Sequence, residues 1–290
     1  MPSRSLTAQF SKWLRSVSSG IKKRARDKTV IIFDKDGTLI DVHSQWAPWI
    51  RGIVTSIMSR TDLNISDKAF TKVGFDDEAG RILPGVLGEG TLEMVQECLS
   101  EILQEEEMSP CEADKVAREC IGEGGARFGE TKPIGDVTSM FKRLKQSGFQ
   151  IAINTSDSRE ATLVNLQHMG VSKLVDIVVC GDDDWMIAKP HPLSAFMICA
   201  QLGVQPENAV MVGDSPCDVR LGINAQLGCS IGVLTGIADR KALEGDAHFV
   251  VDDVSVATDL ILSGVGNMLQ REAAEADEPS CARDSIVVSS

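Results

Sequence analysis

Asp34-Lys35-Asp36-Gly37-Thr38 sets two carboxylates two residues apart, directly before a glycine and a hydroxyl. Such a pair can divide labour: one ionised carboxylate attacks an electrophile while its neighbour moves protons. The same residues would also make a solvated Asp-Gly turn. Gly213-Asp214-Ser215-Pro216-Cys217-Asp218 is a second acidic cluster. Ser215 as N-cap, Pro216 at N1 and Asp218 at N3 read as a helix start, which accounts for Asp218 and leaves Asp214 placed for a metal ion. Two weaker signals lie between them. Asn154-Thr155-Ser156-Asp157 offers hydroxyls that could donate to an anionic oxygen, and serves equally well as a helix cap. In Lys189-Pro190-His191-Pro192, Pro190 keeps Lys189 extended, so that its ammonium could reach across a site. An exposed lysine before a helix start fits the same residues, and His191 has no catalytic role in this reading.

Each of these segments follows a short apolar run. Residues 29–33 (TVIIF) are β-branched and apolar, as suits a strand buried on both faces. Similar runs recur at 150–153, 175–180, 209–212, 230–234 and 247–251. Helical patterns at 158–169, 192–202 and 215–227 separate them and stop at or next to glycines. Strand alternating with helix predicts a parallel sheet with crossover helices. Ligands bind beyond the carboxyl ends of such strands, which is where the four segments fall. Residues 42–133 break the alternation. They offer helical stretches near 46–59, 66–72, 89–104 and 111–121 with no convincing strand, and predict a helical insert after the first strand.

The 290 residues are 43% apolar and 24% charged, which fits one or two soluble globular domains. No apolar run approaches the roughly 18 residues of a membrane-spanning helix. The net charge of −13 is opposite in sign to that of a generic nucleic-acid binder. Residues 1–28 hold eight Lys/Arg against Asp27 alone, with Leu6, Phe10, Trp13, Leu14, Val17 and Ile21 on one helical face. This arm is similar to a mitochondrial or plastid transit peptide; a basic helix lying on the body or on a membrane surface fits the same pattern. Without such targeting the expected location is cytoplasmic. Residues 264–290 are acidic, polar and expected to be disordered. Cys98, Cys111, Cys120, Cys180, Cys199, Cys217, Cys229 and Cys281 form no C-x-x-C pair and do not cluster with the histidines. Reduced thiols, rather than zinc or a disulfide framework, are therefore expected.

Taken in order, D-x-D-G-[ST], a Thr or Ser after the second strand, a Lys, and G-D-x-x-x-D resemble the four motifs of the haloacid dehalogenase superfamily of phosphotransferases. The resemblance spans 29–263. Gly80-Arg81-Ile82-Leu83-Pro84-Gly85 and Gly232-Val233-Leu234-Thr235-Gly236 are similar to its phosphoglycolate phosphatase-like branch. The implied fold is α/β, a Rossmann-like parallel core (29–41 and 134–263) with a helical cap (42–133) inserted after the first strand.

The resemblance also implies a mechanism. Asp34 would be the nucleophile and Asp36 the general acid and base, with Thr155 and Lys189 holding the transferred phosphoryl group. Mg²⁺ would be held by Asp34, the Asp36 backbone carbonyl and Asp214, with Asp218 behind them. Backbone amides from Lys35 through Gly37 to Thr38 could form a nest for the phosphate, with Ser156 beside it. Arg51, Lys72, Arg81 and Arg127 could meet a second anionic group of the substrate, Arg81 being the choice carried forward, although lone cap charges are usually solvated. Trp46 and Trp49 are expected in the cap core, and Cys217 as an unreactive thiol in the metal loop. The expected function is Mg²⁺-dependent hydrolysis of a small phosphomonoester, phosphoglycolate-like or sugar phosphate-like. The alternatives are a phosphomutase using the same residues, or a binding protein on a retired enzyme fold.

Overall fold

The computed structural model describes residues 28–124 and 131–264. Most of the basic arm, nearly all of the acidic tail and Arg127 lie outside the described residues.

Six strands form one parallel sheet: β1 (Val30–Phe33), β4 (Gln150–Asn154), β5 (Ile177–Val179), β6 (Ala209–Gly213), β7 (Cys229–Val233) and β8 (Phe249–Val251). Their order is β5-β4-β1-β6-β7-β8, so the six predicted runs are all strands of one sheet. β1 lies at its centre, and Val-Ile-Ile-Phe is wholly buried. The period of two divides it: Ile31 and Phe33 join one apolar layer, Val30 and Ile32 the other. The first layer includes Phe141 and Leu144 of α6 (Val137–Gln146), Leu166 of α7 (Arg159–His168), and Leu260 of the helix over 254–264. The second includes Ile198 of α8 (Leu193–Leu202) and Leu221 of α9 (Pro216–Asn224). The short helix α10 (Arg240–Glu244) precedes β8.

Register is what assembles the site. Phe33 stands opposite Ile153 of β4 on one side and Val212 of β6 on the other. The three strands therefore end level, and the residues that follow them emerge together. Here the chain's progression across the sheet also reverses, with β4 on one side of β1 and β6 on the other. An open parallel sheet leaves a crevice at such a point.

The inserted segment folds as helices around its own apolar cluster, which contains Trp49, Ile50, Ile53, Leu99 and Ile102. Its helices are α1 (Val42–Thr61), α2 (Ser66–Val73), α3 (Val86–Glu89), α4 (Leu92–Glu105) and α5 (Pro110–Gly124). Asp41 caps α1 by accepting from the amides of His43 (3.1 Å) and Ser44 (3.2 Å). The apolar spacing along α1 fills one face, with Trp46, Ile50, Ile53 and Ile57 all buried. Two expectations are corrected here. A short antiparallel hairpin, β2 (Phe75–Asp76) with β3 (Arg81–Ile82), is present where no strand was expected; strands of two residues carry no legible periodicity. The stretch expected as one helix over 89–104 is split: α3 ends at Glu89, and Thr91 caps α4 by accepting from the Met94 amide (3.4 Å). Gly88 and Gly90 weaken helix continuity at the break.

Two strap segments join the parts. The Asp41 amide donates to the Lys132 carbonyl (2.9 Å), and the Ile134 amide to the Leu39 carbonyl (2.8 Å). Lys132 also pairs with Asp41 at 3.0 Å.

Candidate active site

At the level ends of β1, β4 and β6, four buried side chains meet: Asp34, Lys189, Asp214 and Asp218. Lys189 comes from the long loop after β5. Its Nζ donates to Asp34 (2.8 Å) and Asp218 (2.6 Å), and lies 3.4 Å from the Asn154 carbonyl. Burial works against the ammonium, but the Asp218 and Asp34 carboxylates outweigh it and hold its pKa above the ordinary lysine value. Lys189 is thus a fixed positive charge.

The predicted helix start at Ser215 is present with both halves of its capping box. Ser215 accepts from the Asp218 amide (3.3 Å), while the Asp218 carboxylate accepts from the Ser215 amide (3.1 Å) and hydroxyl (2.8 Å). One carboxylate oxygen of Asp218 therefore builds the helix start while the other faces Lys189. Asp214 is gripped from behind. It accepts from the Ile237 amide (2.9 Å), and the Thr38 hydroxyl lies 3.4 Å away. A Cβ at Gly37 or at Gly236 would collide with the Asp214 carboxylate. Gly37, at φ +87°, also needs the left-handed conformation that glycine adopts without strain.

Three carboxylates in this space can share a cation. Asp34, Asp214 and Asp218 each offer an oxygen, all within 4.8 Å of one another. Burial, with their mutual repulsion, pushes Asp34 up to about 7 and Asp214 well above the ordinary range. Negative charge gathered here beyond what Lys189 offsets fits a divalent cation, and oxygen donors suit Mg²⁺.

A narrow cleft, part of it open to solvent, lies above these groups. Asp34, Asp36, Thr155, Ser156, Asp157, Lys189, Asp214, Ser215 and Asp218 line its floor. The cap contributes Trp46, Glu89, Thr91, Leu92 and their neighbours. The fold thus brings Asp34, Asp36, Thr155, Ser156, Lys189, Asp214 and Asp218 together. It places other expected residues elsewhere. Gly37 and Thr38 pack behind Asp214, and the Gly37 amide donates to the Ile40 carbonyl (2.7 Å), inside the turn rather than toward the cleft. Arg81 is exposed on β3 and does not line the cleft. Arg51 pairs with Asp77 and covers Phe75, and Lys72 pairs with Glu101 and Glu105.

Lys35, expected beside the phosphate, is corrected, and Glu89 had no assigned role in the sequence. The Lys35 side chain turns away from the cleft and is completely buried. It pairs with Asp36 (2.7 Å) and Asp157 (2.9 Å) and donates to Asn165 (3.1 Å). Trp46, packed edge-on against Trp49 as part of the cap core, also hydrogen-bonds Asp36. Burial raises the Asp36 pKa; Lys35 and Trp46 oppose that rise. Glu89 is half-buried; burial raises its pKa, and the neighbouring Cys217 opposes the rise. Burial, with Glu89 and Asp218 nearby, pushes the Cys217 thiol up to about 12, as befits an unreactive thiol. A lysine at the end of an apolar strand, and a lone acid between Gly88 and Gly90, were the available sequence signals for Lys35 and Glu89.

A central parallel sheet with this cluster at its switch point, roofed by a helical insert, defines a class. Residues 28–226 match the model of the haloacid dehalogenase-like hydrolases, and the chain belongs to that family. It is 28% identical over 241 residues to a phosphoglycolate phosphatase of Psychrobacter arcticus, covering 81% of this chain and 96% of the relative. A phosphoglycolate phosphatase of Aquifex aeolicus is 26% identical over 197 residues, 68% of this chain and 80% of the relative. Among solved structures, a β-phosphoglucomutase of Clostridium difficile shares the fold with a TM-score of 0.58 at 18% identity, over 84% of this chain and 100% of that one. These relatives place the chain in the phosphoglycolate phosphatase-like branch. No helix among the described residues is long and apolar enough to cross a membrane.

Proposed function

We propose that the protein is a Mg²⁺-dependent phosphatase that hydrolyses a small phosphomonoester through an aspartyl-phosphate on Asp34. The observation that carries this reading is the buried convergence of Asp34, Lys189, Asp214 and Asp218 beneath a capped cleft. An Asp34 oxygen attacks phosphorus, and the bond from phosphorus to the ester oxygen breaks. Asp36 gives its proton to the departing alkoxide. In the second half, Asp36 takes a proton from water as that water attacks phosphorus, and the bond to Asp34 breaks to release inorganic phosphate. Lys189 and the Thr155 hydroxyl steady the phosphoryl oxygens, which is nearly all that such a transfer asks of a protein. Asp34, the Asp36 carbonyl and Asp214 would hold Mg²⁺, with Asp218 behind them. When bound, the ion supplies positive charge that offsets the carboxylates and favours ionised Asp34. In this reading 29–41 and 134–263 are the catalytic core, 42–133 is the cap, and residues 1–28 are a transit segment.

Purified protein with Mg²⁺ should release inorganic phosphate steadily from phosphomonoesters without forming an isomer. Chelation should stop release and Mg²⁺ restore it. Asp34→Asn should lower turnover by about 10³-fold or more with the circular dichroism spectrum unchanged. Metal-independent turnover, or an Asp34→Asn variant that keeps its activity, would reject the assignment.

A further inference from the structure

The phosphoryl group must sit on the floor of the cleft, between Asp34, Lys189 and Thr155. The organic part of the ester then extends toward the cap, among Trp46, Glu89, Thr91 and Leu92. Lys189 is the sole basic side chain among the described residues lining the cleft, and it is already bracketed by Asp34 and Asp218. Arg51 and Lys72, cap cations that could have met a second anion, are paired with carboxylates of the cap itself. On the leaving-group side stands Glu89 instead. Its backbone carbonyl accepts from the Ser156 hydroxyl (3.3 Å) across the cleft. Glu89 is therefore tied to the core beside the phosphoryl site.

Resting on the phosphatase reading above, we propose that the substrate's leaving group is uncharged and hydroxyl-bearing, a polyol or sugar, and that Glu89 selects it. A carboxylate accepts hydrogen bonds from hydroxyls and repels another carboxylate or a second phosphate. The indole of Trp46 adds an apolar wall of the kind a sugar ring or carbon chain covers. A glycolate leaving group, by contrast, would bring its charge against Glu89, while Lys189 is bracketed by Asp34 and Asp218 and Arg220 pairs with Asp246.

Substrate pairs that differ only by CH₂OH and COO⁻ isolate this choice. With Mg²⁺, kcat/KM is measured for 2-hydroxyethyl phosphate against 2-phosphoglycolate, and for glycerol 3-phosphate against 3-phosphoglycerate. The wild type should favour the neutral member of each pair by about tenfold or more. Glu89→Gln should shrink that ratio by about tenfold, and Glu89→Lys should invert it. The ratio is internal to each preparation, so a partly folded variant leaves it readable. Preference of the wild type for the carboxylated esters, or a ratio unmoved by Glu89→Gln, would overturn the proposal while leaving the phosphatase reading intact. Failure to hydrolyse any of the four esters, or p-nitrophenyl phosphate, would overturn both.

Discussion

Lys35 sits between Asp36 and Asp157 with none of its surface exposed, inside a motif whose two aspartates face the cleft. Removing one partner of a buried ion pair leaves the other charged and desolvated, at a cost of about 3–5 kcal/mol. Lys35→Met should therefore lower unfolding stability by about 3 kcal/mol, read from urea denaturation. Adding Asp157→Asn should recover part of the loss, because one of the two stranded charges is then gone. A Lys35→Met variant as stable as wild type would show that the pair contributes nothing. At this scale the sequence was a good guide to chemistry and a poor one to orientation. Asp34, Asp214 and Lys189 could be selected because they follow strands, and level strand ends bring such residues together. Nothing in D-K-D-G-T says that the lysine points away from the cleft. That depends on Asp157 and Asn165, more than 100 residues distant.

The helix α1 shows how element boundaries carry function. Its N-terminal end supplies Trp46 to the cleft, and its N-cap, Asp41, ties the two strap segments through Lys132. Asp41→Ala should destabilise the protein by about 1 kcal/mol through loss of the cap. Burial disfavours the Asp41 charge, but the Lys132 ammonium and the Ser44 amide outweigh it, so the folded pKa lies below the ordinary 3.8. A depressed carboxylate stabilises the fold above its unfolded pKa, and that contribution is lost as the pH falls below about 4. The stability gap between wild type and Asp41→Ala should accordingly narrow on acidification, measured by thermal unfolding across pH 3 to 7; a constant gap would count against the Asp41 contacts. The six sheet strands and the four cap helices α1, α2, α4 and α5 were legible because burial on both faces, or on one helical stripe, leaves a pattern. The β2/β3 hairpin and the break at Gly90 were not. The first is too short to show a period, and the second rests on where Thr91 finds an amide to cap.

For the whole molecule, charge is segregated: a basic segment of 28 residues precedes an acidic body. At physiological salt the screening length is about 8 Å, so Lys189 and the buried carboxylates around it govern the cleft while the distant acidic surface does not. Deleting residues 1–28 should leave phosphate release unchanged within about twofold but alter location in cells, followed by fluorescence of a C-terminal fusion; unchanged location would remove the transit role. Core and cap keep separate apolar clusters, with one exception. Ile237 follows β7, yet its side chain belongs to the cap cluster and lies against Gly88, while its amide holds the Asp214 carboxylate. One residue thereby touches both parts. In the phosphatase reading, any displacement of the insert that withdrew this side chain would also pull on the peptide group restraining Asp214, so that opening the cleft and loosening the acid below it would be a single movement.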